Sequence, residues 1–300
     1  MKTIEYLSSP DLRPLFLPAI VVVLAIGVLC SLVSVVVVLR RMAFVGQGIS
    51  HAALGGVGLA AALGLMNSSS GTLGPGQFGV IVGFCMLAGL LIGWMSKRAG
   101  GGTGPGHVEP DTAIGVVLVV SMSIGAILLH RFSPRGVAWE SFLFGSVLQN
   151  DWTSAKVAWG VAIASVLWLA IVRRRLTFWA FDPSAARAMG VGDRWLSAGL
   201  MLLLSLATVT AMQLAGVVLA TAMLVLPGAI ALALSKRAGV VLAVALASGV
   251  LGGLLGVVLS FELDWLPGAT IVGVLGVAYA LALGARALLA RGGARAKVHA

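Results

Sequence analysis

Charge is scarce in this chain of 300 residues: Asp, Glu, Lys and Arg make up only 10% of it, against about 25% in a soluble domain. With 59% hydrophobic residues and a mean hydropathy of +1.06, such a surface cannot be kept in water, and its solvent is lipid. Acids are scarcer still, 10 against 20 Lys and Arg. Cysteine is nearly missing. Cys30 and Cys85 lie in separate apolar runs with no CxxC pair, which argues against a disulfide or zinc framework and for packing. A phosphate loop is missing too: none of the five lysines follows a glycine. The glycine-rich GGGTGPG at 100–106 has neither the lysine nor the preceding strand such a loop requires. ATP, if it is used, binds on another chain. Long polar stretches are also lacking. The longest, Asn67–Gln77, Ser96–Asp111, Arg131–Asp151 and Arg173–Arg194, are too short to fold as soluble domains. The expectation is one all-α integral membrane domain over 1–300.

What the chain has instead is apolar runs. The first, 15–39, is uncharged and long enough at 1.5 Å per residue to cross a ~30 Å hydrocarbon core. Arg40–Arg41 follow it where a signal peptide would carry small residues at a cleavage site, so it reads as a retained helix. Further spans are expected at roughly 50–66, 78–96, 112–130, 155–172, 195–212, 214–235, 239–260 and 268–290, which makes eight or nine transmembrane helices in a polytopic bundle. Placing the segments after the odd-numbered spans in the cytoplasm puts 15 of the 20 Lys and Arg on that side. The N-terminus is then short and extracytoplasmic, and the tail at about 291–300 is basic and cytoplasmic. The net charge of +10 reads as topology plus contact with anionic membrane lipid, not nucleic-acid binding.

Glycine is plentiful, 40 residues, and patterned. Gly48, Ala52, Gly56, Ala60 and Gly64 recur every four residues, and Gly249/Gly253 and Gly252/Gly256 repeat the spacing. Small residues at that interval let helix backbones approach closely in lipid.

Four stretches could carry function. In GQGISHAALGGVG, Gln47 and His51 lie one turn apart on one helix face. In HVEPD, His107, Glu109 and Asp111 come just before the fourth span on the same side, where Asp111 could also cap the helix. Imidazole with carboxylate suits zinc, manganese or iron, and polar groups inside a membrane bundle mark ion paths. In FWAFDPSAARAMGVGDRW, Asp182 suits an N-cap, Pro183 the first helical position and Gly190 the position past the end. A short helix over Ser184–Met189 would then face the cytoplasm, as a connector or as a docking element. Pro227, inside the seventh span, predicts a kinked helix, a wall or gate of a pore.

In this order the stretches LRRMAFVGQGISHAALGGVGLA, EPDTAIGVVLV, FLFGSVL, FDPSAARAMGV and LAGVVLATAMLVLPGAIA resemble the membrane subunits of ATP-binding-cassette importers for zinc, manganese and iron, across roughly 15–285. The resemblance implies a non-catalytic permease of the cytoplasmic (inner) membrane, working as a homodimer. An ATPase subunit would bind the ATP, and an extracytoplasmic metal-binding protein would deliver a divalent metal. Carried over by position, His51 matches the pore histidine and Asp111 the acid that opens the DTAIG-like segment. Asp182, Pro183, Ala186 and Gly190 match the segment that meets the ATPase. The family pattern has an aspartate where this chain has Gln47, and Glu109 is the nearby acid that could restore the charge. Two rivals stand beside this reading. A secondary cation transporter coupled to an ion gradient needs acids deep in the spans, whereas Glu262 and Asp264 fall at an edge. An intramembrane hydrolase needs a facing nucleophile and base, and Ser50 and His51 are adjacent on a helix.

Overall fold

A computed structural model describes residues 13–65, 75–99, 110–132, 150–181 and 193–298. They form ten helices and no strand: α1 (Arg13–Leu39), α2 (Ala43–Ala62), α3 (Pro75–Ala99), α4 (Pro110–Phe132), α5 (Trp152–Phe181), α6 (Asp193–Ala215), α7 (Val217–Met223), α8 (Leu226–Leu234), α9 (Ala238–Leu263) and α10 (Pro267–Val298). Taking α7 and α8 as one crossing, eight spans are long and apolar enough to traverse a membrane. The ninth long helix, α2, also has the length, but Gln47, Ser50, His51 and five glycines dilute its apolar character. It starts at Ala43 rather than near residue 50, so Gln47 and His51 lie inside the helix and not at its mouth.

The most apolar span forms the centre. Residues Phe16–Leu39 of α1 have a mean hydropathy of 3.1, and α5, α6, α7, α8 and α9 all pack on this helix. A helix apolar all round belongs in a core. Two close approaches fix it there. At Gly27 an added Cβ would stand 3.3 Å from the Gly249 carbonyl oxygen of α9, and at Gly228 of α8 one would stand 2.5 Å from the Ser34 carbonyl oxygen. Hydroxyls in such a core bond back along their own helices, as when Ser205 donates to Met201 O at 2.8 Å and Thr208 to Leu204 O at 2.7 Å. Cys30 and Cys85 are buried in the main hydrophobic cluster.

The chain turns sharply where the sequence marks it. Between α1 and α2, Arg41 takes a positive φ of 54° and Met42 N–H bonds back to Val37 O at 2.8 Å. At the end of α2, Gly64 has φ 70°, Gly64 N–H reaches Ala61 O and Leu65 N–H reaches Ala60 O, each at 3.0 Å. This is a Schellman closure. Gly64 therefore ends the helix and is not a fifth member of its packing stripe. The break expected between the spans at 195–212 and 214–235 falls at Gly216, φ 88°. The helix after it is interrupted at Leu224–Val225, two residues ahead of Pro227, which stands in the first turn of α8. There its missing N–H is not needed.

Candidate functional site

α2 and α4 run parallel, and glycine explains how closely. A Cβ at Gly55 would lie 2.8 Å from Ser121 O, and one at Gly58 2.8 Å from Gly125 O. On the other side of α2, antiparallel α3 meets Gly56 through Ile81 Cα, 2.9 Å from an added Cβ. Gly56 thus presses α2 onto α3 and Gly58 presses it onto α4, while Gly48 and Gly55 meet both neighbours. The third face, bearing Phe44, Gln47 and His51, has no neighbour sealed against it: Phe44 is 60% exposed, Gln47 is exposed and His51 half-buried.

Because the two helices run parallel, their N-terminal ends lie side by side. A hollow of about 260 Å³ opens there, lined by Phe44 and Gln47 of α2 and by Asp111, Ile114, Gly115 and Leu118 of α4. Asp111 is exposed in the first turn of α4, one residue after Pro110, where a carboxylate is favoured by the helix dipole. The structure therefore brings Gln47 and Asp111 to one cavity. His51 lies one turn further along the same face of α2 and is not on the cavity wall. Among the described residues no three His, Cys, Asp or Glu side chains gather as a metal cage. Glu109, Asp182, Pro183, Ala186 and Gly190 lie outside the described residues. Sequence reasoning missed Phe44, Ile114, Gly115 and Leu118. Their offsets from Gln47 and Asp111, one or two helical turns, are the signal that finds them once the helices are known to be parallel.

Residues 13–286 match the model of the ABC 3 transport family. The chain belongs to that family. It is 34% identical over 264 residues to the manganese transport system membrane protein MntC of Halalkalibacterium halodurans, covering 88% of this chain and 85% of that one. It is 32% identical over 267 residues to a probable iron transport system membrane protein of Haemophilus influenzae, covering 88% and 91%. Among solved structures, PsaBC from Streptococcus pneumoniae in complex with Fab superposes with a TM-score of 0.76 at 27% identity over 94% of each chain. An inward-facing putative metal-chelate type ABC transporter shares the fold, with a TM-score of 0.63 at 16% identity over 90% and 87%.

This ABC 3 chain is a multi-pass membrane permease subunit of an ABC transport system. Its local chemistry agrees with a conduit. Ser50 is buried and its hydroxyl donates to Gln47 O at 2.8 Å, so it is not presented to His51 as a nucleophile. Every acid among the described residues stands at a helix end: Asp111 in the first turn of α4, Asp151 just before α5, Asp193 at the start of α6, Glu262 in the last turn of α9 and Asp264 capping it.

Proposed function

We propose that this permease imports a divalent metal ion as two copies of the chain, each a single permease domain, around a path made by the uncovered α2–α4 face. Manganese and iron are the first candidates, being the metals in the relatives' names, and zinc is the third. The observation that carries the reading is the hollow shared by Gln47 and Asp111, with His51 one turn deeper on the same open face. The ion is substrate, and the chain holds no cofactor of its own. Its donors are few and mixed, an amide oxygen, a carboxylate and an imidazole nitrogen, so each contact is weak enough for the ion to leave as readily as it enters. An extracytoplasmic binding protein delivers the ion. An ATPase subunit docks on the basic side through 182–190, where α5 ends and α6 begins, and its closure moves both helices.

The test is uptake into vesicles carrying the purified chain with and without an ABC ATPase subunit. ATP-dependent uptake that requires the ATPase supports the importer. Metal movement by the chain alone, driven by a proton or sodium gradient, establishes the secondary transporter instead. Ala186→Arg, a bulky charge in the docking segment, is expected to lower co-purification of the ATPase at least tenfold while the permease still elutes as a folded species.

A further inference from the structure

A second cavity, of about 220 Å³, lies away from the metal path and has the opposite character. It is lined by Leu32, Val35, Val36 and Leu39 of α1, by Val166, Leu169, Ala170, Arg173 and Leu176 of α5, and by Ala238, Val241 and Leu242 of α9. Arg173 is its one charged residue. The groove exists because two neighbours straddle α1. Val36 packs with Leu176 of α5 and with Leu196 and Leu200 of α6, while Val35 packs with Val241 and Ala245 of α9 and Ala231 of α8. α5 and α9 each pack along α1 but make little contact with each other. Successive valines thus hold two helices apart, and the gap between them has an apolar floor.

Its dimensions fit one leaflet. Leu32 to Leu39 covers ~10 Å of helix and Val166 to Leu176 ~15 Å, against ~15 Å for half of a ~30 Å hydrocarbon core. Its charge is one-sided. Arg40 and Arg41 follow α1, Arg173–Arg175 lie in the last turns of α5's apolar span, and Lys236 and Arg237 precede α9. Arginine stems run along apolar surface while their heads reach the interface. The bilayer lies directly alongside: Ile171 is 83% exposed next to the groove.

We propose that this groove binds one anionic phospholipid of the leaflet at the basic end, with an acyl chain between α5 and α9 over α1 and the phosphate against Arg173 and its neighbouring cations. The proposed orientation makes that the inner leaflet; the binding itself does not depend on the orientation or on transport. A polar solute does not fit an apolar floor, and a zwitterionic headgroup brings a cation of its own to an already basic rim.

The experiment is native mass spectrometry of the delipidated full chain titrated with phosphatidylglycerol and with phosphatidylcholine. The expected result is one tightly held phosphatidylglycerol per chain and weaker phosphatidylcholine. Arg173→Gln lowers the preference about fivefold, the effect of one interfacial cation. Ala170→Trp fills the groove and abolishes the tight site, while Leu167→Trp, on the same helix but off the groove, leaves it intact. Equal binding of the two lipids by the wild type overturns the proposal without needing any variant to fold. So does tight phosphatidylglycerol retained in Ala170→Trp. Leu242→Cys tests the other occupant, since both native cysteines are buried. High-yield oxidative cross-linking of two chains through Cys at that position would show the groove covered by a second copy and would overturn the lipid assignment.

Discussion

Gly48, Gly56 and Gly58 press α2 against α3 and α4, and Gly249, Gly253, Gly252 and Gly256 press α9 against α1 and α10. The packing device is the same. At Gly249 and Gly253 an added Cβ would run into Ser31 and Val23 of α1, and at Gly252 and Gly256 into Leu275 and Ile271 of α10. Two stripes thus give α9 two partners on two faces, and what remains uncovered is aliphatic, such as Leu251 and Leu255. The same device on α2 leaves uncovered the face that carries Phe44, Gln47 and His51, beside Asp111. Glycine spacing tells how a membrane helix packs. Function is read from the polarity of the face that the packing leaves open.

Breaking the shared device should have the largest effect, and an equal one in both regions. Gly256→Leu drives a side chain toward Ile271 Cα, 2.5 Å from the added Cβ, and Gly125→Leu drives one toward Leu54 O, also at 2.5 Å. Backbone cannot yield as a side chain does, and overpacking of this kind costs about 3 kcal/mol. Both variants are expected to lose most of their folded yield in detergent. Gly83, with nothing within 4 Å of an added Cβ, accepts alanine with a gain of up to ~1 kcal/mol in helix propensity. A Gly125→Leu protein as stable as wild type would remove the close α2–α4 crossing on which the hollow depends.

The polar side of the comparison is sharpened by Gln47→Asp. A carboxylate in place of the amide should strengthen metal retention on the order of tenfold, about 1.4 kcal/mol. Isothermal titration of manganese and zinc onto the purified complex checks it. The matching change on α9, Leu251→Asp, should add no retention.

The smallest expected effect lies outside both regions. Asp151 Oδ1 accepts the Ser154 N–H at 2.8 Å and caps α5, and this bond holds its carboxyl below the usual carboxylate range. A depressed pKa contributes stability above the unfolded value, about 3.9, and loses it as pH falls from there through the folded value. Asp151→Ala should cost ~0.5 kcal/mol, the low end for a cap because the site is exposed. The difference between the two proteins should shrink in thermal melts as pH falls below the unfolded carboxylate value.

The eight apolar spans were legible because apolar runs of that length are a signal that tertiary context rarely overrides. The start of α2 was not. GQGISH lowers local hydropathy, so the span reads as beginning near residue 50, although a bundle helix can carry Gln47 and His51 on its uncovered face without breaking. The glycine stripes were legible as seams, but their partners were not, since spacing shows which residues are small and not what lies opposite. Pro227 signalled the break in the seventh crossing. Its position followed from Leu224 and Val225, which no local pattern marks. Of the site, Gln47, His51 and Asp111 stood out as polar residues in an apolar chain. Phe44, Gly115 and Leu118 did not, because only the parallel pairing of α2 with α4 makes them walls.

The central claim, that the uncovered α2–α4 face conducts the metal, is tested most directly through His51. The measurement is ATP-driven manganese uptake by vesicles containing the whole complex, with wild type and His51→Ala compared at equal reconstituted protein. Uptake should fall at least tenfold, with unchanged expression, dimer content and basal ATP hydrolysis. Wild-type uptake in His51→Ala would contradict the claim and leave His51 outside the transport path.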